Sequence, residues 1–159
     1  MDKKKSLIIS VIIFVIVIGV LIFITINSKK GPATVSDQNN VQNTQQVDGV
    51  KVTIFQEGNG DIAKTGDLVS VNYTGKLADG TAFDSNVDPK FNHVQPFVFA
   101  IGSGETIKGW DIGVAGMKVG EKRILEIAPE YAYGAIGAGE AIPPNATITF
   151  EVELLEIKK

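Results

Sequence analysis

Apolar and polar residues alternate along three stretches of the chain: "VKVTIFQ" from Val50, "LVSVNYTGKL" from Leu68 and "ATITFEVELLEI" from Ala146. A period of two over this length predicts strands with one buried face and one wet face. "PFVFAIG" and "EKRILEIAP" are two further strand candidates, and "ADGT" at Ala78–Thr81 and "VGEK" at Val119–Lys122 read as turns. Helical spacing occurs only in Ile107–Met117, "IKGWDIGVAGM", where Trp110, Val114 and Met117 fall at i, i+4 and i+7 on one face. Roughly five strands and one short helix predict an α+β domain, an antiparallel sheet that covers one face with that helix. The helix poses a puzzle. It holds the chain's one tryptophan beside Gly109, Gly113 and Gly116, although each glycine inside a helix costs about 1 kcal/mol relative to alanine.

The first part of the chain has a different pattern. Leu7–Ile26 is twenty residues without a charge, and a helix of that length spans about 30 Å, the thickness of the bilayer hydrocarbon core. In lipid an isolated span has to be helical, because every backbone group must bond internally. The run is longer than a signal-peptide core, and "TINSKKGP" after it has no A-x-A pattern. An uncleaved anchor is therefore the favoured reading over a cleaved signal. Lys3, Lys4 and Lys5 lie before the span and Lys29 and Lys30 after it, a small bias toward a cytoplasmic N-terminus. The expectation is a single-pass protein of the cell membrane with its body outside the cytoplasm. The absence of cysteine suits such a compartment without demanding it. Ser28–Val47 is polar and Gln/Asn-rich; it cannot bury enough apolar surface to fold alone and reads as a tether. The organisation predicted is an anchor over 1–27, a linker over 28–47 and a folded domain over 48–159.

Charge and residue content narrow the chemistry. Asp48–Lys159 carries 10 basic and 16 acidic residues, a balance unsuited to nucleic acid, whose binding leans on phosphate neutralisation. With no cysteine there is no thiol nucleophile, and one histidine leaves no zinc site of the usual kind. His93 sits in the polar loop "DPKFNHVQP" and reads as a solvated histidine rather than a catalytic base. There is no P-loop, and "GSGETI" lacks the third glycine of a dinucleotide fingerprint. "NYT" and "NAT" match the glycosylation sequon, but such matches are common by chance. What remains is aromatic. Tyr73, Phe83, Phe97, Phe99, Trp110, Tyr131, Tyr133 and Phe150 lie in segments that can converge. Any one of them is ordinary core. As a set, three tyrosines and a tryptophan bring polar tips that need partners when buried, and an aromatic pocket with few polar groups is a binding site.

Five motifs give this pattern a likeness. "YTG" at Tyr73, "GTAFDS" at Gly80, "GWDIGVAGMKVG" at Gly109, "YAYG" at Tyr131 and "IPPNATITFEVELLEI" at Ile142 resemble the FKBP-type peptidyl-prolyl cis–trans isomerases, in the family's order and approximate spacing. The resemblance runs from about Val50 to Ile157. It implies a half-barrel of five to six antiparallel strands wrapped around one short helix. It also implies that Trp110 is the floor of a prolyl pocket walled by Tyr73, Phe83, Phe97 and Phe150. By the same resemblance Asp84 faces the substrate amide. Thr106 and Ile107 stand beside the tryptophan, with the Ile107 N–H offered to a carbonyl. Tyr133 offers its hydroxyl, and Ile142 is apolar on the flap. Asp84, Tyr133 and Trp110 are the catalytic candidates. Two departures stand out: the flap "GAIGAGEAIPP" has small Ala138 and Ala141, and the loop Ser85–Gln95 is long, with Lys90 the nearest match to a basic residue often found there. Gly109 and Gly113 are expected to let helix and sheet approach closely.

The implied activity suits the missing machinery. Rotation about an X–Pro bond crosses about 20 kcal/mol because amide resonance must break, yet no covalent bond is exchanged, so no nucleophile, metal or cofactor is required. The expected partners are proline-containing polypeptides and macrolides of the FK506 type, and the expected role is folding of exported or membrane proteins. The alternative is a tethered module that holds proline segments without catalysis, since fold alone does not settle activity.

Overall fold

Val69 and Val71, on one face of the strand Leu68–Leu77, are fully buried, while its first residue, Leu68, remains exposed. Ser70 between them, on the other face, is buried as well, so the period of two marks which side chains are apolar rather than which meet water, and the strand is the axis of the domain. The computed structural model describes residues 43–158; the anchor over 7–26 and the linker as far as residue 42 lie outside the described residues. Among the described residues, seven strands and one α-helix follow in order. They are β1 Asn43–Val47, β2 Val50–Gln56, β3 Leu68–Leu77, β4 Ala82–Ser85, β5 Phe97–Ala100, α1 Lys108–Val114, β6 Lys122–Ile127 and β7 Ile148–Lys158. Single 3₁₀ turns occupy Pro89–Phe91 and Pro129–Tyr131. No helix among the described residues is long and apolar enough to cross a membrane.

The strands form one antiparallel sheet in the order β1-β2-β6-β7-β3-β4, with β5 also paired to β3. β3 and β7 pair along their whole lengths, from Leu68 opposite Lys158 to Leu77 opposite Ile148. The free edge of β3 is shared: β5 takes Leu68–Val71 and β4 takes Thr74–Lys76. The inner face presents Val50 and Val52 of β2, Leu125 and Ile127 of β6, and Ile148, Phe150, Val152 and Leu154 of β7, all buried.

The helix lies on this face, and its glycines explain how. A Cβ on Gly109 would collide with the Ile127 side chain, and one on Gly113 would stand 2.5 Å from Leu125 Cδ1. The glycine stripe thus sets α1 directly on β6, closer than any side chain allows, and the cost in helix propensity is offset by burial of Trp110, Val114 and Met117. The helix is shorter than its spacing suggested. Gly116 adopts φ 79°, a left-handed conformation that ends a helix, so Met117 reaches the core from beyond α1. Arg123 closes the end: its Nη1 donates to the carbonyls of Gly113 (2.8 Å) and Ala115 (3.2 Å).

Two strands lack an apolar period and were missed. β1 falls in the last five residues of the segment read as linker. All five are exposed, but their backbone pairs with β2 from Val47 opposite Val50 to Asn43 opposite Ile54. A two-residue Asp48–Gly49 turn, with Asp48 at φ 48°, folds them back. Ladder hydrogen bonds need no apolar side chain, so composition said nothing; the Asp-Gly pair between valines was the available signal. β4 is four residues long and half-buried without alternation. Among the described residues the sheet therefore has seven strands, not five or six.

Candidate active site

Between α1 and the inner face of β3, β5 and β7 lies a cavity of about 420 Å³. Trp110, from the first turns of α1, is at its centre and only 4% exposed. Phe150 of β7 stands 5.1 Å from the indole at 90°, Tyr73 of β3 5.2 Å at 81°, Phe99 of β5 5.4 Å at 62° and Phe97 5.9 Å at 78°. Edge-to-face contacts of this kind suit the ring quadrupoles and hold the indole in one orientation. Thr106 and Ile107, in the turn before α1, and Tyr133, after the second 3₁₀ turn, complete the wall with Asp84 and Glu105.

The polar groups gather at Asp84 on β4. Its Oδ2 accepts from the Tyr73 hydroxyl at 2.6 Å, and its Oδ1 accepts from the Ser85 N–H at 2.9 Å and lies 2.8 Å from His93 Nε2. Burial, and then the bond to the Asp84 carboxylate, push the Tyr73 hydroxyl well above the ordinary tyrosine range. Burial and the same negative charge push Tyr133 upward too. Both phenols therefore remain protonated donors near neutral pH. Two buried polar atoms on the lining, Thr106 Oγ1 and Trp110 Nε1, have no hydrogen-bond partner among the described residues. Buried groups of this kind are rare, and each costs about 1–3 kcal/mol when unpaired. No cluster of His, Asp or Glu among the described residues is arranged to hold a metal ion.

Eight of the ten residues predicted for the site meet here: Tyr73, Asp84, Phe97, Thr106, Ile107, Trp110, Tyr133 and Phe150. Phe83 and Ile142 do not line the cavity. Phe83 packs its ring 5.5 Å from Phe150 at 89°. Gly75 permits this, since a Cβ there would stand 2.6 Å from Phe83 and 2.7 Å from Phe150. Ile142 is 5% exposed in the core, where its backbone pairs with Ala138 across the flap. Lys90, the nearest match to the family's basic residue, points elsewhere: its ammonium is 3.3 Å from Asp88 and 4.8 Å over the Phe91 ring.

Three contributors were not foreseen. Glu105 lines the cavity directly before Thr106. His93, expected to be merely solvated, is half-exposed but bonded to Asp84. Asn86 is buried and pins its loop to β3: Oδ1 accepts from the Tyr73 N–H at 2.7 Å, and Nδ2 donates to the carbonyls of Val71 and Gln95. The loop has no period from which these contacts could be read.

Sequence comparison agrees with this geometry. The family model for FKBP-type peptidyl-prolyl cis-trans isomerase matches residues 60–155. The chain is 53% identical over 110 residues to FK506-binding protein 1 of Dictyostelium discoideum, covering 69% of this chain and 99% of that protein. It is 51% identical over 110 residues to FK506-binding protein 1A of Aspergillus fumigatus, with 69% and 95% covered. Against the human peptidyl-prolyl cis-trans isomerase FKBP4 it is 51% identical over 115 residues, which are 72% of this chain and 24% of that protein. The chain belongs to the FKBP-type peptidyl-prolyl cis–trans isomerases, and it is an enzyme that catalyses rotation about X–Pro bonds.

Proposed function

We propose that the proline ring of an extended polypeptide sits on Trp110, between Tyr73, Phe97 and Phe150, while the preceding carbonyl turns near Asp84 and Tyr133. The observation that carries this reading is the convergence of four aromatic rings with the Asp84 and Glu105 carboxylates and the Tyr133 phenol in a single cavity. The twisted amide has lost its resonance and is less dipolar than either planar isomer. A water-poor aromatic cavity favours it over the ground state, which is catalysis by differential binding. The Tyr133 hydroxyl, part-exposed on the cavity wall, is the donor available to hold the turning peptide. Each 1.4 kcal/mol gained at the transition state is about tenfold in rate, so a few such contacts suffice. The relatives' names as FK506-binding proteins support macrolides of that type as ligands of the same cavity.

The apolar run Leu7–Ile26 supports tethering to the cell membrane with the domain outside the cytoplasm. There an isomerase meets exported chains while they fold, a stage that proline isomerisation can limit. Two measurements test these readings. Cis-to-trans relaxation of a short X–Pro peptide is expected to accelerate with the full chain and to slow several-fold with Asp84→Ala or Trp110→Ala; wild-type rates in a folded Asp84→Ala variant would move the chemistry elsewhere. Protease added to intact cells is expected to digest the domain, and full protection would overturn the topology.

A further inference from the structure

We propose that His93 is a positioning residue for Asp84, and that the net charge of the Asp84–His93 pair at the reaction site varies with pH. The proposal rests on the reading above, that Asp84 faces the turning amide. The loop that carries His93 is built rather than loose. Ser85 Oγ accepts from the N–H groups of Val87 and Asp88. Asp88 caps the 3₁₀ turn Pro89–Phe91 by accepting from the Lys90 N–H. Asn92 takes φ 61° to turn the chain back, and the buried Asn86 ties the far end through Gln95. The result is Nε2 of His93 at 2.8 Å from Asp84 Oδ1.

A carboxylate only accepts, so the nitrogen facing it must carry the proton; His93 donates from Nε2 in both its neutral and its charged form. Protonation at the other ring nitrogen therefore changes the charge beside Asp84 without breaking the bond. The other donors to Asp84 cannot do this. The Ser85 N–H does not titrate, and Tyr73 keeps its proton far into the alkaline range. The titratable and charged groups around the pair are Tyr73 on β3, Tyr133 and Glu105 on the cavity wall, and Asp88 and Lys90 on the loop itself. Lys90 is engaged with Asp88, and no salt bridge to Asp84 other than that of His93 occurs among the described residues. The imidazolium thus offsets the Asp84 charge at low pH, and the neutral ring leaves it in full.

The test is kcat/KM of the full chain on an X–Pro peptide without titrating groups, followed from pH 5 to 8.5. Wild type is expected to gain about two- to fivefold as pH rises across this window, the rate equivalent of one partly screened pair. His93→Gln, which keeps a donor but no titration, is expected to be flat near the high-pH rate. His93→Arg, a permanent cation, is expected to be flat near the low-pH rate. A pH step that survives in His93→Gln overturns the proposal, as does a flat wild-type profile. Asp84→Ala separates the two readings. If it leaves the rate unchanged, the site assignment itself fails; if it lowers the rate while His93→Gln keeps the step, only the role of His93 fails.

Discussion

Two carboxylates in this domain have similar partners and opposite fates. Glu121 is 1% exposed; it bonds Arg123 through Oε1 and accepts from the Lys118 N–H through Oε2 at 3.0 Å. Asp84, with 39% of its side chain exposed, also has a basic partner and a backbone N–H. The difference is what each pair faces. Arg123 turns its Nη1 onto the carbonyls of Gly113 and Ala115 at the end of α1, so the buried Glu121 pair is tied to the helix and serves the fold. Asp84 keeps one side open to a cavity and has partners on different elements, so its pair serves a ligand. Burial converts the same chemistry from a site into a strut, because a charge without water must be fully matched by fixed partners.

Breaking the buried pair is expected to have the largest effect. Arg123→Ala leaves Glu121 uncompensated and uncaps α1, and is expected to lower unfolding free energy by about 3–5 kcal/mol in urea titration; a loss no larger than that of an exposed pair would show that the two carboxylates are alike. Gly113→Leu follows. Its side chain has to enter the space of Leu125, and overpacking of this kind costs about 1–3 kcal/mol. Because Trp110 rides on the same helix, peptide isomerisation is expected to slow along with the stability loss, and a neutral effect would refute the close approach.

Tyr73→Phe is the smallest change and bears on the open pair. It removes one donor to Asp84 and is expected to cost about 0.5–1.5 kcal/mol, with activity falling more than stability. Folding holds the Tyr73 proton beyond pH about 10, where an unfolded tyrosine ionises. Its contribution is complete below that pH and is lost as pH rises further toward the folded value. Alkaline denaturation is therefore expected to be shallower in Tyr73→Phe than in wild type above pH about 10. Identical slopes would show that the Tyr73–Asp84 bond does not stabilise the fold.

The contrast between the two pairs also marks what could be read in the chain. β2 and β3 occupy the very residues their alternation predicted, because a strand with one buried face must repeat every two residues. β1 and β4 were invisible, since one is exposed on both sides and the other is too short to show a period. The cavity residues Tyr73, Asp84, Trp110 and Tyr133 were legible through motifs of a family, whereas His93 and Asn86 were not. A loop residue nine positions from Asp84 has no local rule that brings it to 2.8 Å.

The sequence by itself determined the sheet's alternating faces, the single glycine-striped helix, the apolar run at 7–26 and the set of aromatic and polar groups available for chemistry. These depend on neighbours a few residues apart, where period and residue type suffice. Only the tertiary structure decided that Phe83 packs edge-to-face on Phe150, that Arg123 seals the helix and that His93 shares Asp84 with Tyr73. Those are meetings between distant segments. Their outcome depends on how closely α1 approaches β6 and on how the Ser85–Gln95 loop is anchored to β3, and packing, rather than local pattern, sets both distances.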